Sequence, residues 1–304
     1  MNGNDIVIVS ATRTAIGKFG GQFATTSAIE LGTTVAKAAI QKANLSPEQI
    51  DTVIFGNVLQ AGLGQNPARQ VGLGAGLNHA STAVTVNEVC GSGLKAIISA
   101  AQAIRLGDAK IVLAGGTENM SLAPHLLQQR FAPKNGPVTL VDSLFNDGLT
   151  DAYSQDAMGI TAENIVEKYG FTREEQDAFA VASQQKAARA QEEGRFDNEI
   201  TPVAVFNRKI KSDDLKATDE FIRPNTTLES LAGLKPAFKK DGTVTAGNAS
   251  GINDGAACVI MTTREYATEL DLPILATLKG YAEAGVDPSI MGIGPVPAIQ
   301  KLVA

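Results

Sequence analysis

Cysteine 90 is the residue of this chain best placed for covalent chemistry. Val84, Val86 and Val89 lead into it and read as a buried β-strand, while Gly91 and Gly93 follow it and permit a sharp reversal. From Leu94 onward, Ile97, Ile98, Ala101 and Ile104 recur at helical spacing. The thiol is therefore expected where a strand stops and a helix begins. The first N–H groups of a helix have no partner within it, and the positive end of its dipole favours an anion. A thiol with an ordinary pKa of ~8.5 is expected to be drawn toward thiolate in that place. Glycines on its far side leave room for a substrate to reach the sulfur. The arrangement follows the logic of a nucleophile elbow, in which a tight strand-to-helix turn presents the attacking atom. Cysteine more commonly fills a small gap in a core. That is the reading for Cys258, which lies inside the apolar run Cys258-Val-Ile-Met261.

The other chemistry-bearing residue types form no comparable pattern. His79 and His125 lack metal-ligand spacing to a second His or Cys and read as surface residues. The stretch Gly72-Leu-Gly-Ala-Gly76 has Leu77 where the third glycine of a dinucleotide loop belongs, and no Walker sequence occurs. No metal and no resident cofactor are expected. Arg208, Lys209 and Lys211, then Arg223, give local basicity, which reads as a solvated face with phosphate contact as the alternative.

The elements that must position Cys90 alternate. Ile6-Val-Ile-Val9 and Ile111-Val-Leu-Ala-Gly-Gly116 are continuous apolar runs of the kind buried on both faces of a sheet, and Val53 to Val58 is a third strand. Ile29 to Ala43 has helical periodicity. Ser46-Pro-Glu-Gln49 carries a capping serine, proline at the first position and a glutamine reaching back. Such alternation argues for an α/β fold with a largely parallel sheet covered on both faces. From about Ser121 to Asn248 the chain holds half of its prolines and most of its charge, which reads as an insertion. Within it, Thr172-Arg-Glu-Glu175 opens a long polar helix to about Glu193, with Phe179 and Ala182 as its buried candidates. A further strand is expected from Leu275 to Tyr281. A helix starting at Pro297 stops after about two turns with no capping glycine, so the chain reads as cut short.

The 304 residues are long enough for two domains, and 44% hydrophobic with 19% charged residues describes an ordinary globular protein. A net charge of −6 argues against nucleic acid or an anionic membrane as partner. Two cysteines make no disulfide framework and suit a reducing, cytoplasmic setting. The N-terminus shows no secretory signal, and no stretch is apolar for long enough to cross a membrane.

Four segments taken together, Asn87-Glu-Val-Cys-Gly-Ser-Gly93, Ala114-Gly-Gly-Thr-Glu-Asn-Met120, Met158-Gly-Ile-Thr-Ala-Glu-Asn164 and Gly242 to Gly255, resemble the thiolase family. The acetyl-CoA C-acetyltransferase branch is the most similar. The likeness runs from Ile6-Val-Ile-Val-Ser-Ala-Thr-Arg-Thr14 to Met291-Gly-Ile-Gly-Pro295, essentially the whole chain. It implies the thiolase fold, an α/β architecture whose mixed five-stranded sheet is covered by helices. Residues 1–120 plus 252–272 would form the N-terminal half, 121–251 an inserted loop domain for CoA binding, and 273–304 the start of a second, truncated α/β half.

The resemblance also implies a reaction, the reversible Claisen condensation of two acetyl-CoA to acetoacetyl-CoA and CoA. Cys90 matches the acetylated nucleophile, and its own N–H would supply part of an oxyanion hole. Ser250 matches a residue bonded to the pantetheine arm. Arg223 and Ser230 match positions near the adenine, and Leu149, Phe238 and Met291 match apolar tunnel walls. Met158 resembles the methionine lining the acyl pocket, while Ala157 departs from the family, where His is common. CoA thioesters are expected as substrates. A homodimer or homotetramer is expected too, with Gln65-Asn-Pro-Ala-Arg69 resembling a segment that reaches toward a partner. The family's Asn-Glu-Ala-Phe, Gly-His-Pro and Cys-x-Gly motifs, which carry its base and second cysteine, are absent from these 304 residues. The expectation is therefore a chain that alone turns over negligibly. The alternatives are a non-catalytic CoA-binding or scaffold fragment, or another enzyme of the same fold such as a ketoacyl synthase or hydroxymethylglutaryl-CoA synthase.

Overall fold

The computed structural model describes residues 3–131, 135–207, 209 and 211–304. In chain order the first elements are β1 (Ile6–Arg13), β2 (Gly17–Lys18), α1 (Ala28–Lys42), β3 (Thr52–Gly56), α2 (Pro67–Gly74), β4 (Thr82–Val86), α3 (Ser92–Leu106) and β5 (Val112–Asn119). The hairpin β6 (His125–Leu126) with β7 (Val141–Asp142), a π-helical turn Leu144–Leu149, α4 (Met158–Tyr169) and α5 (Arg173–Glu192) follow. Then come the hairpin β8 (Val203–Asn207) with β9 (Ser212–Lys216), α6 (Leu228–Ala232), β10 (Asn253–Thr263), α7 (Arg264–Glu269), β11 (Ala276–Thr277), a 3₁₀ turn Pro288–Ile293 and α8 (Pro295–Val303).

The chain forms two compact units. The first comprises Met1–Ser143, Asp197–Glu220 and Ile252–Lys279. Its sheet runs β11-β1-β10-β5-β3-β4, with β2 pairing β10, so five full strands carry two two-residue additions. β3 lies parallel to both β4 and β5, whereas β10 runs antiparallel between β1 and β5. The sheet is thus mixed, and the largely parallel expectation fails because the strand from residue 253 inserts between two strands formed some 140 residues or more earlier. β11 is also far shorter than the expected Leu275 to Tyr281 strand.

Alternation along the strands supplies both faces of this sheet. Val7, Val53, Phe55, Leu113 and Ile260 pack against Leu31, Val35 and Ala39 of α1 and Val71 of α2. Their neighbours Ile6, Ile54, Val112, Ala114 and Met261 pack against Ala96, Ala100, Ala101 and Ile104 of α3. α1 begins on a capping box between Ser27 and Glu30, and the expected Ser46–Gln49 box opens a 3₁₀ turn. Burial of β4 is a correction: it is an end strand with one neighbour, and Val84 and Val89 are 47% and 49% exposed.

The second unit comprises Leu144–Phe196, Phe221–Gly251 and Gly280–Ala304. The expected insertion boundaries therefore differ from the compact units. Residues 197–220 join the first unit because Arg13 donates to Glu199 and to both carboxylate oxygens of Asp219, and because Thr201 N–H donates to the Arg13 carbonyl. Residues from Gly280 join the second because the 3₁₀ turn packs on α4, where Asn164 Nδ2 donates to the Ser289 carbonyl at 2.9 Å. α5 opens on the expected Thr172–Glu175 capping box, but Phe179 is 77% exposed and Ala182 is exposed too. Its buried residues are Asp177 and Val181, because the inward stripe of this helix is largely polar and hydrogen-bonded.

Candidate active site

In the first unit β4 ends at Val86, and after five intervening residues α3 begins at Ser92. The reversal between them does not use glycine for its unusual backbone. Val89 takes φ 47°, the left-handed region, while the following Gly91 is right-handed at φ −78°. A β-branched residue there is rare and costs about 1–2 kcal/mol. Side chains hold it in place. Val89 N–H donates to Asn87 Oδ1 at 2.9 Å, and buried Ser92 accepts from Glu88 N–H at 2.9 Å while donating to the Val89 carbonyl at 2.5 Å. Ser92 N–H also reaches the Val89 carbonyl, and Gly91 N–H reaches that of Glu88. Cys90, next to the strained residue and one before the helix cap, is exposed. Gly93 has open space where a side chain would be, whereas a side chain at Gly91 would press on Glu88.

Such a turn keeps an exposed thiol on a rigid mount at the positive end of a fifteen-residue helix. Cys258 is its opposite. It is buried in β10 against Gly115, and burial pushes its thiol far above the ordinary range, against a small opposing pull from Lys42. His79 and His125 are exposed, and His125 Nε2 lies 3.9 Å from Asp142 Oδ2. Lys209 and Lys211 are exposed, and Arg208 lies outside the described residues.

The second unit carries the remaining sequence-derived candidates, and α4 organises most of them. Met158 is its first residue, half-buried, and Ala157 caps it without a side-chain hydrogen bond. Thr150, next to half-buried Leu149, bridges to Ala157. Phe238 lies over Gly159, where any β-carbon would overlap its ring. Glu163, buried, accepts from the N–H groups of Thr243 and Val244, both at 2.8 Å, and so fixes the loop that runs on to exposed Ser250. Asn248 extends that support by donating to Asp177 Oδ1 and the Thr243 carbonyl. Met291, 40% exposed, sits in the 3₁₀ turn held by Asn164, and a side chain at Gly292 would press on Ile165.

Arg223 and Ser230 belong to a different neighbourhood. Arg223 is exposed, with its N–H on Gln184 Oε1 at 2.7 Å and its guanidinium 5.1 Å from the Phe221 ring centre. Ser230 is the third residue of α6, and its hydroxyl closes a capping box with Thr227. Sequence reasoning missed Ser92, Glu163 and Asp177. The spacings of Glu88 to Ser92 and of Arg173 to Asp177 are local signals; the partners of Glu163 lie about eighty residues away.

Fold and turn together define an α/β protein that presents an exposed thiol at a helix start. A family model for the N-terminal domain of thiolases matches residues 6–265, and the chain belongs to the thiolase family. It is 57% identical over 301 residues to an acetyl-CoA acetyltransferase of Cupriavidus necator and 56% identical over 298 residues to one of Pseudomonas aeruginosa. These likenesses cover 99% and 98% of the chain and 76% of each relative. The crystal structure of the Bacillus anthracis acetyl-CoA acetyltransferase superposes with a TM-score of 0.95 at 43% identity, over 99% of this chain and 76% of that one. The chain thus spans about three-quarters of the length of these relatives, and matches that run over nearly all of it lend no support to the expectation of a nearly inactive chain. Among the described residues, no helix is long and apolar enough to cross a membrane.

Proposed function

We propose that this chain is an acyltransferase for the reversible Claisen condensation of two acetyl-CoA to acetoacetyl-CoA and CoA, through an S-acetyl-Cys90 intermediate. The observation that carries the reading is the exposed Cys90 thiol on a strained, hydrogen-bonded turn at the start of α3. In the first step the Cys90 thiolate attacks the thioester carbonyl carbon. A bond from that carbon to Sγ forms, its bond to the CoA sulfur breaks, and CoA leaves as a thiolate that takes up a proton. Negative charge gathers on the carbonyl oxygen as this happens, and backbone N–H groups around the helix start, that of Cys90 included, suit it. In the second step an α-carbon of another acetyl-CoA gives up a proton to a base, the part the resemblance assigns to motifs absent from these 304 residues, and attacks the acetyl carbonyl. The new C–C bond forms as the C–Sγ bond breaks, which returns the thiolate.

Ser250 serves the pantetheine arm, Arg223 and Ser230 the adenine end, Leu149, Phe238 and Met291 the apolar walls, and Met158 the acyl pocket. The support is that α4 and its partners fix five of these seven positions. The Ser230 hydroxyl is already engaged in capping α6, which favours a contact through its backbone or packing. A homodimer or homotetramer in the cytoplasm belongs to the same reading, supported by the exposed end strand β4 and a free thiol that needs a reducing compartment.

Intact-mass measurement after incubation with excess acetyl-CoA tests the first step. The expected result is one added acetyl group on the wild-type chain, removed by neutral hydroxylamine as a thioester should be and absent from C90S. An unmodified chain would sink the reading, and CoA binding without any adduct would instead favour the scaffold alternative.

A further inference from the structure

Behind the nucleophile turn lies a buried clamp that the chemistry above does not use. The carboxylate of Glu118, near the end of β5, receives three donors from the segment that follows β3. Val58 N–H meets Oε2 at 2.9 Å, while Leu59 N–H and Asn57 Nδ2 meet Oε1 at 3.1 and 2.9 Å. Asn57 Nδ2 also donates to the Thr117 carbonyl at 2.8 Å. Both acceptors fix the amide's orientation, so Oδ1 points the other way, and there it is buried with no partner among the described residues. A buried carbonyl without a donor is destabilising. The fold carries that cost beside its nucleophile in exchange for the two bonds made by the amide nitrogen.

The clamped segment touches the Cys90 turn at two points. Asn57 N–H donates to the Val86 carbonyl at 3.1 Å, at the residue where β4 ends and the turn begins. Gly56 lies against the first residues of α3 so closely that a β-carbon there would stand 2.6 Å from the Ser92 carbonyl carbon and 2.8 Å from Gly93 N. The first residues of α3, two and three positions after Cys90, are therefore backed by backbone at contact distance, and Glu118 fixes the segment that follows that backbone. Burial pushes the Glu118 carboxyl up from its ordinary range, while its bonds from Val58 and Leu59 pull the other way.

We propose that Glu118 is a positioning residue for Cys90: by clamping Asn57–Leu59 it sets the height of the Asn87–Gly93 turn and so the aim of the thiol. The inference rests on Cys90 being the acylated nucleophile. Glu118 touches neither thiol nor acyl group, and its effect passes through Asn57 and Gly56. In E118Q an amide NH₂ replaces one carboxylate oxygen and faces N–H donors, so the clamp loosens with almost no change in volume.

The experiment compares wild type, E118D and E118Q, each folded by circular dichroism, in rapid-quench acetylation of Cys90 across a range of acetyl-CoA concentrations. Displacement of a reacting group by about 1 Å can cost up to ~100-fold in rate. E118Q is expected to acetylate at least about tenfold more slowly at saturation, with its half-saturating concentration within about twofold and part of the rate recovered in E118D. Alkylation by iodoacetamide runs in parallel and is expected to slow about two- to fivefold as the thiol leaves its seat at the helix start. Equal saturating acetylation in wild type and E118Q would overturn the inference while leaving the acyl-transfer reading intact. Should wild type take no acetyl group, the acyl-transfer reading fails and alkylation decides alone, equal rates overturning the inference. If E118Q does not fold, N57S removes the same amide donor and faces the same two outcomes.

Discussion

Gly159 and Phe238 share one space: the phenyl ring fills the volume that any side chain on Gly159 would need. Through this contact the first turn of α4, which carries Met158, is fitted to a residue some eighty positions later in the chain. G159A is expected to destabilise the second unit by about 1–3 kcal/mol, the usual cost of overpacking. It should also raise the half-saturating acetyl-CoA concentration for Cys90 acetylation. Differential scanning calorimetry and the acetylation time course check both, and an unchanged melting profile would contradict the contact.

Glu163 holds the loop leading to Ser250 by accepting from Thr243 and Val244 N–H and from the Thr243 hydroxyl. In E163Q an amide group meets backbone donors. The loop should loosen, and roughly tenfold more acetyl-CoA should be needed for half-saturation, equivalent to about 1.4 kcal/mol. The saturating rate should move by less than about twofold, because Glu163 sits in α4 and supports the loop leading to Ser250, with no bond to the Cys90 turn.

The strained backbone at Val89 depends on one hydroxyl. Ser92 takes the Glu88 N–H and gives its proton to the Val89 carbonyl, and it is buried. S92A leaves the Glu88 N–H without its side-chain acceptor and the Val89 carbonyl with only the Ser92 N–H, and is expected to cost about 1–3 kcal/mol of stability. With the turn relaxed, acetylation of Cys90 should slow by about tenfold or more. Urea unfolding and intact-mass kinetics separate the two effects, and S92A with wild-type kinetics would show that the hydroxyl is not what holds the thiol in place.

The two cysteines should behave oppositely. In the native protein iodoacetamide should label Cys90 alone, and both only after unfolding. The buried Cys258 thiol is pushed far up, while in the unfolded chain it ionises near ~8.5. Above that pH the unfolded chain holds fewer protons than the folded one, so stability falls as pH rises, by up to about 1.4 kcal/mol per pH unit from this residue. Below pH ~8 both states keep the proton and the effect vanishes. C258A should lose this alkaline slope in chemical denaturation between about pH 9 and 10.5.

Local interactions made much of the chain legible. α1, the capping boxes at Ser46 and Thr172, the placement of Cys90 just before a helix, and the burial of Cys258 each depend on residues within a few positions of one another. The glycines around Cys90 suggested a glycine-built reversal, yet Val89 carries the left-handed backbone, because a strained residue is visible only once the Ser92 bonds that hold it are known.

By itself, then, the amino-acid order determined the main helices and strands of the first unit, the start of α5 and which thiol stands at a helix start, since periodicity and caps act over a few residues. Tertiary structure alone decided the rest. It sent β10 between β1 and β5, left β4 at the sheet end, and brought Glu118 to Asn57, Glu163 to Thr243 and Phe238 to Gly159. Those partners lie about sixty to eighty residues apart, or farther for the strands. Only the packing of the folded chain selects them, because no pattern confined to one segment encodes which distant backbone group will meet it.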